Sequence, residues 1–296
     1  MTIKCKWMVL LILLTVSILG LPVTAAAADA PAIDTGDTAF IIICTALVMI
    51  MTPGLALFYG GMVRKKNVLS IIMQCFTAMA LVSAQWVIIG YTLGFGPDIH
   101  HFIGGLQWLG MRGITGDPNP AYAATIPHHV FVLFQLMFAI ITVALISGAF
   151  AERLRFPIFV AFVLLWTTLV YDPLAHWVWG ADGWLRNLGA LDFAGGTVVH
   201  ISSGISGLVA CLILGKRHAA KTEPMTPHNL PFTMLGAGLL WFGWFGFNAG
   251  SALGANGLAG HAFLVTNTCA AAGAISWAAA EWIHHANQLL WGLPVV

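Results

Sequence analysis

Charged side chains are scarce in this chain. Only 8% of its 296 residues are Asp, Glu, Lys or Arg, while 59% are apolar. A soluble domain carries about 25% charged residues, so a soluble globular fold is excluded. The 12 Lys and Arg nearly cancel the 11 Asp and Glu, for a formal net charge of +1. That balance argues against a polyanion-binding surface, and no nucleic-acid partner is expected. Cysteine is sparse too. Cys5, Cys44, Cys75, Cys211 and Cys269 contain no CxxC pair. This excludes a disulfide framework or a thiolate metal site and leaves small core residues. No ring of carboxylates lines the apolar stretches, which disfavours a conventional cation channel. Asp172 and Asp192 read as groups near one end of the helices, where they hold termini. Glu152 falls in a loop, and Glu281 falls at the end of the last helix.

Long apolar runs fill the rest. Residues 1–28 have the form of a signal peptide: Lys4 and Lys6, an apolar core from Trp7 to Leu21, then small-residue cleavage options between Ala25 and Ala30. An uncleaved first helix is the open alternative. Seven further stretches follow, at about 38–61, 68–93, 127–150, 157–179, 197–215, 232–253 and 261–283. Each has the length of a membrane-crossing helix, and barrel strands would be shorter and alternating. The fold class is therefore an all-α polytopic membrane protein. Arg64, Lys65, Lys66, Arg153, Arg155, Lys216, Arg217 and Lys221 fall in alternate loops, against Arg112 and Arg186 in the others. By the positive-inside rule the odd-numbered helices end in the cytoplasm and the N-terminus is external.

The loop at about 95–125 is rich in Gly and Pro. His100 and His101 within it read as solvated, as do His128 and His129 at the start of the third helix. Pro53-Gly54 is expected to interrupt the first helix. Gly246, Gly250 and Gly254 share one helix face and imply close packing against a neighbour.

One stretch carries the chemistry. Asp192 opens it, Gly195 and Gly196 follow, and His200 sits in an apolar run to Leu214. A histidine at membrane depth is either a functional group or a neutral core residue bonded to its neighbour. Phe134 and Phe138 stand four residues apart on the third helix, Phe247 and Ser251 do so on the sixth, and Trp179 ends the fourth. These aromatics fit ordinary packing. They also fit an uncharged path in which rings and a hydroxyl hold a small cation at the mouth and an imidazole lies further in.

Five segments decide the resemblance: Met51-Thr-Pro-Gly-Leu-Ala-Leu-Phe-Tyr-Gly-Gly61, Gly148-Ala-Phe-Ala-Glu-Arg153, Ala175-His-Trp-Val-Trp-Gly180, Ala190-Leu-Asp-Phe-Ala-Gly-Gly-Thr-Val-Val-His200 and Gly243-Trp-Phe-Gly-Phe-Asn-Ala-Gly-Ser251. In order, from about residue 37 to 283, they resemble the Amt branch of the Amt/Mep/Rh ammonium transporters. The resemblance implies an external ammonium-recruiting site at Phe138, Trp179 and Ser251. It implies a phenylalanine gate of Phe138 and Phe247, supported by Phe134, and makes His200 the first of two pore histidines. Asp192 becomes the structural aspartate beside the recruiting site. Ammonium is captured, deprotonated and passed through an apolar pore. No cofactor, metal or enzymatic chemistry is implied. A homotrimer in the cell's inner (plasma) membrane is expected, with a cytoplasmic trimeric signalling regulator as partner.

The chain departs from the family at its end. The family has eleven membrane helices, and the second pore histidine lies on one not matched here. After Glu281-Trp282, residues 286–296 do not resemble the family. One permitted back-translation of Asn287–Val296, read from its third base, spells the family's Pro-Thr-Ala-Leu-Gly-Ala-Ala-Ser-Gly. The expectation is a tail read out of frame after an incomplete transporter domain at 29–285, and a chain inactive as written. Two other readings stay open: a membrane ammonium sensor or regulatory remnant, and a haem-binding electron-transfer protein using His176 and His200.

Overall fold

The computed structural model describes residues 33–217, 220 and 225–284. The leader at 1–28 and the tail from 286 lie outside the described residues. Among the described residues, seven helical spans are long and apolar enough to cross a membrane: Thr35–Met62, Lys65–Phe95, His128–Phe150, Phe156–Asn187, Gly196–Leu214, Leu230–Gly250 and Gly257–His284. They agree with the apolar stretches to within a few residues at most ends. The fourth runs furthest past its expected end, because a short helix Trp184–Asn187 follows Asp172–Trp179.

The first span begins at Asp34, whose side chain accepts from Asp37 N at 2.8 Å and so caps an otherwise unpaired donor. It then runs unbroken to Met62 with Pro53 inside it. This corrects the expected interruption. Proline removes one intrahelical donor, but Gly54 beside it lets the sixth span approach: a Cβ there would lie 2.9 Å from Leu239 Cβ. The packing holds the helix continuous. The glycine face on the sixth span meets the same neighbour. A Cβ on Gly246 would lie 2.6 Å from Leu47 Cβ, and one on Gly250 would lie 2.8 Å from Cys44 Cβ. Removing side chains there brings two backbones together.

The third span is the hub. It is buried nearly all round, and the first, second and fifth spans pack against it. Polar links tie these apolar faces. Tyr59 Oη donates to Leu145 O at 2.9 Å, Trp86 Nε1 to Val132 O at 3.2 Å, and Trp166 Nε1 to Ser206 Oγ at 3.0 Å. At one end, Glu152 joins two loops. Its Oε1 accepts from Arg64 Nε at 3.0 Å and Asn67 Nδ2 at 2.6 Å. Burial alone would raise this carboxyl, but the Arg64 and Asn67 bonds outweigh it and hold Glu152 below the usual carboxylate range.

At the opposite end, residues 96–127 form a folded cap. The two-residue strands Asp98–Ile99 and Ile103–Gly104 pair antiparallel within it. His100 and His101 both have positive φ, and the His101 side chain is largely exposed. His128 differs from the solvated reading. It is buried, and its Nε2 meets Tyr91 Oη within a ring cluster that includes Trp108. Aromatic neighbours from the second span and the cap cover it, which its position at a helix start did not reveal.

The seventh span packs along the sixth, where Asn248 Nδ2 donates to Thr266 Oγ1 at 2.9 Å. Most of its remaining surface is open.

Candidate recruiting site and aromatic column

The site starts with how Asp192 folds its own loop. Asp192 Oδ1 accepts from Gly195 N at 2.6 Å and Gly196 N at 2.8 Å. Its Oδ2 accepts from Thr197 N at 2.8 Å and Val198 N at 2.9 Å. Four donors at the start of the fifth span are thus met by one carboxylate, the charge favoured at a helix N-terminus. Gly195 takes φ +107° to turn the chain into that arrangement, a conformation open to glycine. The fifth span then opens on a π-helical turn, Gly196–Ile201, which carries His200. The backbone of Asp192 also accepts from Trp179 Nε1 at 2.9 Å, so the loop sets the orientation of the indole.

The rings form a continuous series. Phe138 lies 5.7 Å from Trp179, edge to face at 89°, 4.9 Å from Phe134, and 4.4 Å from Phe247. Beyond Phe247, His200 lies 5.9 Å away, and it stacks on Trp244 at 5.6 Å. His200 Nδ1 is 3.1 Å from Gly195 O. Phe134, Phe138 and Phe247 are buried, whereas His200 stands on an open flank. Above the series lies a cavity of about 550 Å³, lined by Phe134, Phe138, Trp179, Asp192 and Ser251. Ser251 donates its hydroxyl to Phe247 O at 2.8 Å, which leaves its oxygen lone pairs able to accept.

The structure thus brings the sequence-chosen residues into one place: Trp179, Phe138, Phe134, Ser251 and Asp192 around the cavity, Phe247 and His200 below it. It also adds lining residues that motif reading passed over, among them Tyr122, Phe131, Gln135 and Arg186. The Gln135 amide oxygen is buried without a hydrogen-bond partner. Arg186 Nη1 donates to Trp179 O at 2.9 Å. Burial pushes the Tyr122 phenol up to about 12, and it donates to Phe95 O at 2.7 Å. Only Gln135 stood within a segment already singled out, beside Phe134. Phe131 stands three residues before Phe134 on the same span, Tyr122 comes from the cap, and Arg186 comes from the short helix Trp184–Asn187.

His176 is placed differently from His200. Its Nδ1 lies 3.1 Å from Gly94 O and its Nε2 2.9 Å from Asp98 Oδ1. One ring nitrogen is committed to the end of the second span and the other to the cap, so His176 offers no free ligand to pair with His200. Burial would raise the Asp98 carboxyl, but its bonds from His176 and His101 N hold it below its ordinary value. Asp172 is a correction to the reading of a terminus-holding group: it is wholly buried within the fourth span and bonded to Gln85.

Spans that are apolar outside, with an aromatic-walled vestibule above a buried ring pair and a histidine, define a polytopic helical membrane protein. Comparison with known proteins names the family. The profile of the Ammonium Transporter Family matches residues 39–291. The ammonium transporter of Bacillus subtilis is 56% identical over 257 residues, covering 87% of this chain and 62% of that protein. That of Aquifex aeolicus is 48% identical, covering 88% and 60%. The crystal structure of Saccharomyces cerevisiae Mep2 superposes with a TM-score of 0.79 at 40% identity, covering 85% of this chain and 58% of that one. A solved structure titled Sensor Amt Protein superposes with a TM-score of 0.77 at 29% identity. The chain belongs to the ammonium transporter family. It spans about six-tenths of the length of the curated relatives it matches.

Proposed function

We propose that this chain recruits ammonium from outside the cell's inner (plasma) membrane and forms part of a path for ammonium or ammonia. The observation that carries this reading is the shared cavity of Phe138, Trp179 and Ser251. Two ring faces and a hydroxyl lone pair suit a small monovalent cation, and the orphaned Gln135 oxygen adds an acceptor for an N–H donor. Asp192 has both oxygens occupied by backbone donors, so it orders the site and does not touch the ion. Below the cavity, the 4.4 Å contact of Phe138 with Phe247 excludes hydrated ions, and recruited ammonium gives its proton to water in the vestibule before an uncharged molecule passes to His200. The vestibule faces outward, since Arg64, Arg153 and Arg155 cluster at the other end.

His200 lies on an open flank, so the described spans supply one wall of a conduit. On this reading the chain recruits but does not conduct by itself. A homotrimeric assembly and a cytoplasmic trimeric signalling regulator belong to the same proposal, on the strength of the family.

Ammonium and methylammonium binding to the purified chain, followed by tryptophan fluorescence against Trp179→Leu, tests recruitment. Saturable quenching that sodium does not reproduce, and that Trp179→Leu loses, supports it. Equal responses to sodium and ammonium overturn it. Uptake of labelled methylammonium by cells lacking their own transporters then tests conduction. Binding without uptake is the outcome this reading expects, and uptake by the chain alone would show that it conducts.

A further inference from the structure

The fourth span holds a carboxyl group that the aromatic column does not use. Asp172 is 0% exposed and lies about 10 Å of helix rise inside Trp179. It does not line the vestibule and turns to the second span. Gln85 Nε2 donates to Asp172 Oδ2 at 2.6 Å and to Thr168 Oγ1 at 3.1 Å. Thr168 gives its own hydroxyl proton to Leu164 O at 2.8 Å, so it has none for the carboxyl. Two buried oxygens are then left without a partner, Asp172 Oδ1 and Gln85 Oε1. Both belong to the groups already joined by the 2.6 Å bond.

Both orphans are acceptors, and an ionised carboxylate can satisfy neither. One proton satisfies both. As a carboxylic acid, Asp172 donates from Oδ1 to Gln85 Oε1 while Gln85 Nε2 donates to Oδ2, which closes an acid–amide pair. Charge balance points the same way. A carboxylate at this depth needs a cation partner, yet residues 68–95, 128–150 and 156–179 contain no Lys or Arg. The titratable groups nearby are Tyr171, its chain neighbour; Tyr91, bonded to His128; His176, turned to Gly94 O and Asp98; and Asp192, beyond Tyr171. The seat for the amide is built into the backbone. Gly90 closes the π-helical turn Trp86–Gly90, and a Cβ on it would lie 2.5 Å from Gln85 Oε1. A second π-helical turn, Thr167–Tyr171, leads directly into Asp172.

We propose that Asp172, Gln85 and Thr168 form a proton-binding site in the membrane interior, apart from the ammonium path, with Asp172 holding the proton as a carboxylic acid. Infrared difference spectroscopy of the full chain in lipid tests this. The wild type shows a carboxylic-acid carbonyl band from about pH 6 to about pH 9, where a solvated aspartate has long been ionised. The band shifts in D2O and is absent from Asp172→Asn. Loss of a carboxylate band in that variant instead overturns the proposal. Asn keeps the same two-bond pairing with Gln85, so Asp172→Asn is expected to fold. Should it not, wild type labelled with carbon-13 at aspartate carboxyls decides alone: a labelled acid band persisting at about pH 9 supports the site, and its absence overturns it.

Discussion

The rings of Phe138 and Phe247 lie 4.4 Å apart, tilted by 42°, and join the third and sixth spans at the floor of the vestibule. Each ring is buried to within 1%. Phe247→Ala removes this contact and the His200 edge contact together. The expected cost is of the order of 3–5 kcal/mol, as for other buried phenylalanines. Thermal unfolding in detergent measures it. A shift no larger than that of a lipid-facing control, Leu212→Ala, would show that the two rings do not bear on one another.

Asp192 is expected to act through the backbone. Asp192→Ala leaves four N–H donors of the fifth span unmet, at a cost of at least the ~1–2 kcal/mol of a lost helix cap. Because Trp179 Nε1 bonds to Asp192 O, the variant also releases the indole. Its emission moves, and this is read by comparing Asp192→Ala with and without Trp179→Phe.

The Glu152 link predicts an acid-sensitive end of the molecule. Its carboxyl sits below its ordinary value through bonds from Arg64 and Asn67, which outweigh burial. A depressed carboxyl stabilises fully above its unfolded value, near 4.3, and loses that contribution as pH falls through the folded value. Thermal midpoints of wild type and Glu152→Gln should therefore differ at neutral pH and draw together as pH falls below the ordinary carboxylate value, near 4.3. A constant gap would mean that the charge does not matter.

The glycine face predicts a position-specific penalty. Gly246→Leu drives a side chain into Leu47 and the Cys44 carbonyl, whereas a Cβ on Gly238 meets nothing within 4 Å. Overpacking costs about 1–3 kcal/mol, so Gly246→Leu should lower the thermal midpoint and Gly238→Leu should not. Equal effects would show that the first and sixth spans are not in close register.

Helix number and the locations of the spans were legible in the sequence, because the hydrocarbon core demands about twenty apolar residues per crossing and tolerates no unpaired backbone. The residues later found around the cavity were legible through motif, and Asp192 through its place before two glycines. Arg186 and Tyr122 were not, since they reach the cavity from the short helix Trp184–Asn187 and from the cap, and no period along the chain places either there. Asp172 and His128 were misread for a related reason. Nearness to a helix end along the chain suggests solvent, but a neighbouring span or a folded cap can bury that end. Pro53 likewise reads as a break until the sixth span packs beside it.

The sequence by itself determined that the chain crosses the membrane, where it does so, and which family it belongs to, since hydropathy and motif are local properties. The tertiary structure decided which polar atoms meet. Only the packing of distant spans gives Gln85 to Asp172, the nitrogens of His176 to the second span and the cap, and Phe138 to Phe247. Hydrogen bonds and ring contacts depend on ångström distances between helices, and no spacing along a single helix encodes them.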